Sequence, residues 1–249
     1  MQLTEHIYIV GSGHLGFDLT DPYDCNVYLI DGGAELALID GGSGMGVEKI
    51  QAQIRGHGFD LDRVRYLLLT HYHADHGGGA WRWKELMPWL TVVGSADTKS
   101  HLAESSGDGG IIMARAKRHG YYPADYMLHP GEVDRVVSDG EIVQVGTIGV
   151  TAVATPGHCD GHTCYRARID SRGALFTGDM IYTGGRVSTQ VVPDCRIELY
   201  MQSLEKFRDA GVEGFFPGHY DCSVNYGQRH FDRALSHVDR LAIPPSNVD

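Results

Sequence analysis

Four residues able to hold a metal ion, His71, His73, Asp75 and His76, fall within the six-residue stretch His-Tyr-His-Ala-Asp-His. An apolar run at 66–70 precedes them and three glycines at 77–79 follow. The run reads as a buried strand, and the glycines as a place where the backbone turns sharply and packs closely as a helix begins. The candidate ligands then sit at the carboxyl end of a strand, where open α/β sheets put their chemistry. In an extended backbone alternate side chains share a face, so His71 and His73 point to one side while Asp75 and His76 are free to turn to a neighbouring point. One short loop can thus serve two metal ions about 3.5–4 Å apart. Three more candidates end strand-like runs downstream: His158 in Pro-Gly-His, Asp179 in Thr-Gly-Asp and His219 in a second Pro-Gly-His. Nitrogen and oxygen ligands of this kind suit zinc, iron or manganese.

Two further residues could support such ligands. His162, four positions after His158, reads as a residue behind the ligands. Asp40, in Asp-Gly-Gly, is either a buried carboxylate holding a ligand loop or a turn residue bonding its own backbone.

The elements that must position these residues come from a chain of 249 residues, long enough for one large domain or two small ones, with 42% hydrophobic content, enough for a sizeable core. A formal charge of −11 repels phosphate backbones, and no basic patch overrides it, so nucleic acid is not an expected partner. The five cysteines show no compact spacing, which argues against a disulfide framework. Residues 1–10 lack the charged start and apolar stretch of a signal peptide, and no run approaches ~18 apolar residues. The expectation is a cytoplasmic protein with a small-molecule substrate and no membrane partner; a homo-oligomer is allowed for.

Residues 6–10, 25–30 and 35–39 read as strands, with Asp31-Gly32-Gly33 as a hairpin signal. A helix is expected at 46–56, a second at 80–86 ended by Pro88, and a strand at 90–93 between that proline and the next segment. Residues 133–137, 141–145 and 148–154 read as consecutive antiparallel strands, followed by a hairpin at 163–169 and 174–177. Helices at 197–210 and 226–241 flank a strand at 214–216. Two strand-rich halves, each followed by helices, suggest two sheets stacked between helices. The exception is 97–130, with helical pieces at 97–104 and 111–118, a glycine break and the aromatics Tyr121, Tyr122 and Tyr126. A segment that long and irregular is expected to fold over the motif as a lid.

The motif at 71–76, with His158, Asp179 and His219 in their strand-end settings, resembles the metallo-β-lactamase superfamily across nearly the whole chain. The resemblance implies an α/β fold of the α+β type, an αββα four-layer sandwich, as one domain with its site between the sheets. It implies His71, His73 and His158 on one metal, Asp75, His76 and His219 on the other, and Asp179 bridging. Two divalent ions, zinc before iron or manganese, are the cofactors it implies, and a bridging carboxylate suits a two-metal hydrolytic centre.

Departures narrow the branch. Penicillin-hydrolysing members have no aspartate bridge at the position of Asp179, and a glutamate in place of His73 would mark the di-iron flavoproteins. Glyoxalase II carries a long helical extension, whereas only thirty residues follow His219. Tyr182, three residues after Asp179, resembles the tyrosine that N-acyl homoserine lactone lactonases hold over the metals as a donor to the substrate carbonyl; otherwise it is an ordinary aromatic at a strand end. Arg186 is a candidate for an anionic group on the substrate. The cysteines are expected to be small buried residues, with Cys159 pointing away from the ligands.

The resulting expectation is hydrolysis of a carboxylic ester, lactone or thioester by a metal-bridging hydroxide, with Asp75, Asp179 and Tyr182 as the catalytic side chains. The water's pKa would fall from about 15.7 toward neutrality. The rivals are a mononuclear iron enzyme resembling persulfide dioxygenases, suggested also by Gly185-Arg186, and a binding protein without catalysis.

Overall fold

Apolar residues alternate along the strands so that each strand serves two cores. In the computed structural model, which describes residues 1–247, one sheet contains β1 (Ile7–Gly11), β2 (Val27–Asp31), β3 (Leu36–Ile39), β4 (Val64–Leu68), β5 (Thr91–Gly94) and β6 (Arg135–Val136) in that spatial order. The first three strands pair antiparallel and the rest parallel. The second sheet contains β7 (Ile142–Val145), β8 (Ile148–Ala154), β9 (Thr163–Ile169), β10 (Arg172–Gly178) and β11 (Gly214–Pro217), antiparallel except for the parallel β10–β11 pair.

Ile9, Tyr28, Ile39 and Leu68 of the first sheet meet Val150, Tyr165, Phe176 and Phe216 of the second in the central core. The other face of the first sheet, with Leu29, Leu38 and Leu67, buries Ile50 of α1 (Val47–Gly56), Trp83 of α2 (Ala80–Leu86) and Leu102 of α3 (Ala96–Glu104). The other face of the second sheet, with Leu175 and Phe215, buries Tyr200 of α5 (Ile197–Glu205) and Phe231 of α6 (Gln228–Val238). Helix, sheet, sheet and helix therefore stack as four layers. Each fully buried large apolar side chain contributes about 1.5–3 kcal/mol, and these cores offset the cost of burying the polar groups described below.

Three local expectations are corrected. Residues 133–137 do not continue into the β7–β8 hairpin: Arg135 and Val136 add an edge strand to the first sheet, paired with β5. The motif strand begins at Val64, after a 3-10 turn at Leu61–Arg63, and ends at Leu68. Helix α5 ends at Glu205. A remaining helix, α4 (Gly110–Arg118), lies in the segment expected to be a lid and buries none of its residues. No helix among the described residues is long and apolar enough to cross a membrane.

Candidate metal centre

The candidate ligands come from the carboxyl ends of four strands. The motif follows β4, His158 follows β8, Asp179 directly follows β10 and His219 follows β11. The glycines after the motif are required by close approach: a Cβ on Gly78 would lie 2.1 Å from the Ala74 carbonyl oxygen, and one on Gly79 2.5 Å from that of Gly41. From the first sheet, the Asn26 side-chain amide donates to the carbonyls of Pro217 (3.1 Å) and Tyr220 (3.0 Å), fixing the loop that carries His219.

Hydrogen bonds behind the histidines set their tautomers. The Thr70 hydroxyl donates to Asp40 Oδ2 at 2.8 Å and lies 3.0 Å from His71 Nδ1, which must therefore donate to it. His71 Nε2 is left with a free lone pair. Nδ1 of His76 donates to Asp40 Oδ2 (2.8 Å) and Nδ1 of His158 to the Ser188 carbonyl (2.9 Å), so both aim Nε2 at the centre. Asp40 also accepts the Thr70 backbone N–H at 2.7 Å. Its bonds therefore run to the motif and not to its own turn, and its buried backbone sits in the left-handed region at φ 64°.

Seven side chains converge. His158 Nε2 lies 3.0 Å from His73 Nδ1, and His76 Nε2 lies 3.2 Å from His219 Nε2. Asp75 Oδ2 is 3.1 Å from His219 Nε2 and 3.5 Å from His76 Nε2. Asp179 stands between the two groups, Oδ1 being 3.2 Å from His76 Nε2 and Oδ2 3.7 Å from His158 Nε2. The donor atoms of Asp75, His76 and His219 all lie within 4.8 Å of one another, as do those of His71, His73, His158 and Cys159.

Cys159 therefore does not point away. The strand ends at Ala154, and the turn through Gly157, at φ 140°, swings the thiol to the same side as His158. Burial pushes this thiol well above its ordinary range, so it is a neutral thiol in the metal-free protein.

These residues fit divalent cations. Burial pushes His71, His73 and His158 below the usual imidazole range, so they are neutral, as ligation requires, whereas His76 and His219 are raised against the effect of burial by the anionic groups around them, so a metal would displace their protons. Burial opposes the ionisation of Asp179, but His219, His76 and His158 outweigh it and hold the carboxyl well below its ordinary value. Among the described residues, the buried side-chain atoms without a hydrogen-bond partner are His71 Nε2, Asp179 Oδ1 and His219 Nδ1, all in this cluster. Lone pairs facing one another at 3.0–3.2 Å need a cation or proton between them.

His162 stands outside the ligand group. Its Nε2 accepts the Asp179 backbone N–H at 3.2 Å, and its Nδ1 bonds Thr155 Oγ1 at 2.8 Å, so both nitrogens are engaged. Tyr182 is buried, with its ring centroid 6.2 Å from that of His219 and its phenol beside Asp179 and Ser188. The Arg186 guanidinium donates to the Ser246 carbonyl and the Asn247 side chain.

Several contributors come from outside the motif and the other candidate ligands. The Tyr122 hydroxyl donates to Asp75 Oδ1 at 2.7 Å, its ring stacks on Tyr126 at 5.2 Å, and Tyr126 donates to the Ser43 carbonyl at 2.8 Å. His101 of α3 stacks on Tyr72 of the motif at 4.0 Å. The segment 97–130 thus reaches the centre from two sides. The Tyr200 hydroxyl of α5 lies 2.8 Å from the Asp179 carbonyl and accepts the Ser188 N–H at 3.0 Å, tying Asp179 to the residue whose carbonyl orients His158.

Comparison with known proteins agrees with this geometry. An atrochrysone carboxyl ACP thioesterase of Aspergillus fumigatus is 32% identical over 206 residues, 82% of this chain and 53% of the relative, so the chain spans about half of that protein's length. An acyl-coenzyme A thioesterase, MBLAC2 of Bos taurus, is 26% identical over 88% of this chain and 80% of its own. Among solved structures, the FEZ-1 metallo-β-lactamase of Legionella gormanii superposes with a TM-score of 0.68 over 95% of this chain and 92% of its own at 20% identity, a likeness of fold. The sequence model of the metallo-beta-lactamase superfamily matches residues 20–219, ending on the last candidate ligand. Because that match spans most of the chain and contains all seven converging side chains, the chain belongs to the metallo-β-lactamase superfamily.

Proposed function

We propose that the chain is a metal-dependent hydrolase of acyl thioesters, with His71, His73 and His158 holding one divalent ion, Asp75, His76 and His219 a second, and Asp179 between them. The observation that carries this reading is the convergence of imidazole nitrogens on Asp179, with His71 Nε2 buried and unpartnered. The thioester, among the carboxylic esters and lactones that such a centre can attack, is favoured by the two relatives named for thioester hydrolysis. When bound, divalent ions supply Lewis acidity and bring the pKa of water from about 15.7 toward neutrality.

The chain's own groups do the rest. Asp40 and Thr70 fix the rings of His76 and His71, so the lone pairs stay aimed without reorganisation. Burial, with Asp179 nearby, pushes the Tyr182 phenol well above its ordinary range, so it keeps its proton at neutral pH and can donate to an oxyanion forming on the acyl carbon. Tyr122 holds Asp75, which like His73 is partly exposed.

Metal analysis of the purified protein, paired with turnover of octanoyl-coenzyme A, octanoyl-pantetheine, a homoserine lactone and an aryl ester, tests the proposal. About two metal ions per chain and a preference of at least about ten-fold in kcat/KM for the thioesters are expected. One iron per chain, with oxygen uptake on a persulfide, would reject the reading in favour of a dioxygenase.

The two tyrosines should separate by readout. Tyr182→Phe should lower kcat and kcat/KM together by roughly ten- to a thousand-fold with metal content unchanged, the scale of one lost oxyanion donor. Tyr122→Phe removes a bond to a candidate ligand carboxylate, so it should weaken retention of metal by roughly ten- to a hundred-fold in a chelator competition. Wild-type behaviour in either assay removes the corresponding role.

A further inference from the structure

Helix α4 presents a mixed face that nothing in the chain covers. At 100° per residue, Ile111, Ile112, Arg115, Arg118 and His119 fall on one stripe, and all of them are exposed, Ile111 by 71% and Ile112 by 50%. Met113, Ala116 and Lys117 lie on the opposite side, facing inward. Among the described residues neither Arg115 nor Arg118 has an ion-pair partner, and α4 contains no acidic residue. Cations in a last turn offset the helix dipole by about 0.3–1 kcal/mol, which accounts for the charges but leaves two exposed isoleucines beside them unexplained.

The placement relates the stripe to the site. The chain turns directly out of α4, with Tyr121 N–H donating to the Ala116 carbonyl at 3.0 Å, and the next residue, Tyr122, bonds Asp75. The cationic end of α4 is therefore the end joined to the metal centre. In a chain of net charge −11, an acidic partner is repelled over most of the surface and attracted here, a pattern that fixes orientation more than affinity. The isoleucines suit a partner that brings an amphipathic helix, whereas a free nucleotide would have no use for them on a convex face.

We propose that the outward stripe of α4 docks the acidic helix of an acyl carrier protein that delivers the thioester to the centre. This rests on the thioesterase reading above and names the form of the substrate. The arginines meet the partner's carboxylates, Ile111 and Ile112 meet its apolar ridge, and the tethered acyl chain enters beside Tyr122.

The test compares octanoyl acyl carrier protein with octanoyl-pantetheine, which has the same reacting group and no protein. In the metal-loaded Arg115→Glu/Arg118→Glu variant, KM for the carrier-bound substrate should rise at least about ten-fold while kcat/KM on octanoyl-pantetheine stays at the wild-type value. Added salt should weaken carrier-protein binding to the wild type and have little effect on the variant. Equal KM for the carrier-bound substrate in wild type and variant would overturn the proposal. So would charge-dependent binding to phosphatidylglycerol vesicles without binding to the carrier protein, which would make the stripe a membrane contact. Should no thioester be hydrolysed, the catalytic reading fails, and binding of the unacylated carrier protein to wild type and variant still decides the docking.

Discussion

Asp179→Ala should purify as a folded protein with close to one metal ion per chain and no measurable thioester turnover. The carboxylate sits where neither histidine group can replace it, Oδ1 facing His76 at 3.2 Å and Oδ2 facing His158 at 3.7 Å. Two divalent ions about 3.5–4 Å apart repel each other, and an anion between them is what allows joint occupancy. Asp179→Asn keeps the shape without the charge, so it should follow Asp179→Ala in metal content; a fully loaded Asn variant would show that geometry alone sets the stoichiometry. The metal-free protein gives a second readout. A carboxyl whose folded pKa is depressed contributes stability above its unfolded value, near 4 (~3.9), and loses that contribution as pH falls below it. Since Asp179 is held well below the ordinary range, metal-free wild type should lose stability below about pH 4 more steeply than Asp179→Ala. Equal acid limbs in chelator-treated denaturation curves would show that the pairing with His219 and His76 is absent in solution.

The legible part of this centre is the part encoded in contiguous residue types. A His-rich loop after an apolar run, and three more ligand types each ending a strand, identify the seven converging side chains because strand ends of a two-sheet sandwich meet at one rim. What sits behind the ligands is less legible. Asp40 left two readings open, since an aspartate in Asp-Gly-Gly looks the same whether it bonds its own turn or, as here, Thr70 and His76. Tyr122 belongs to the aromatic cluster of the segment expected over the motif, but Tyr200 and Ser188 act across long stretches of chain, and no local pattern marks a hydroxyl or carbonyl that will meet a residue tens of positions away.

The misplacements have physical causes too. Cys159 was expected to face away on the assumption of a continuing strand, and the left-handed Gly157 ends that assumption. Residues 133–137 alternate as a strand should, but a period of two states which face is buried and not which sheet supplies the partner.

Gly218→Ala should lower kcat/KM by at least about a hundred-fold while the chain remains folded. A Cβ at this position would lie 2.5 Å from His76 Cε1 and 2.7 Å from Asp179 Oδ1, distances that require something to move. The backbone cannot give way easily, because the Gly218 carbonyl accepts the Asn26 N–H at 2.7 Å and its N–H donates to the Gly178 carbonyl at 2.8 Å, bonds that join the two sheets and the two ligand loops. The displaced groups are then the His76 ring and the Asp179 carboxylate, each moved by a fraction of an ångström or more, and misplacements near 1 Å in a catalytic geometry cost about a hundred-fold. Overpacking of this kind destabilises by about 1–3 kcal/mol, so circular dichroism and thermal denaturation should report a folded protein with a lowered Tm. Gly56→Ala at the end of α1, where an added Cβ meets nothing within 4 Å, controls for loss of a glycine as such and should retain wild-type turnover. Normal turnover with about two metal ions in Gly218→Ala would mean that the close packing around Gly218 does not set the positions of His76 and Asp179 that turnover needs.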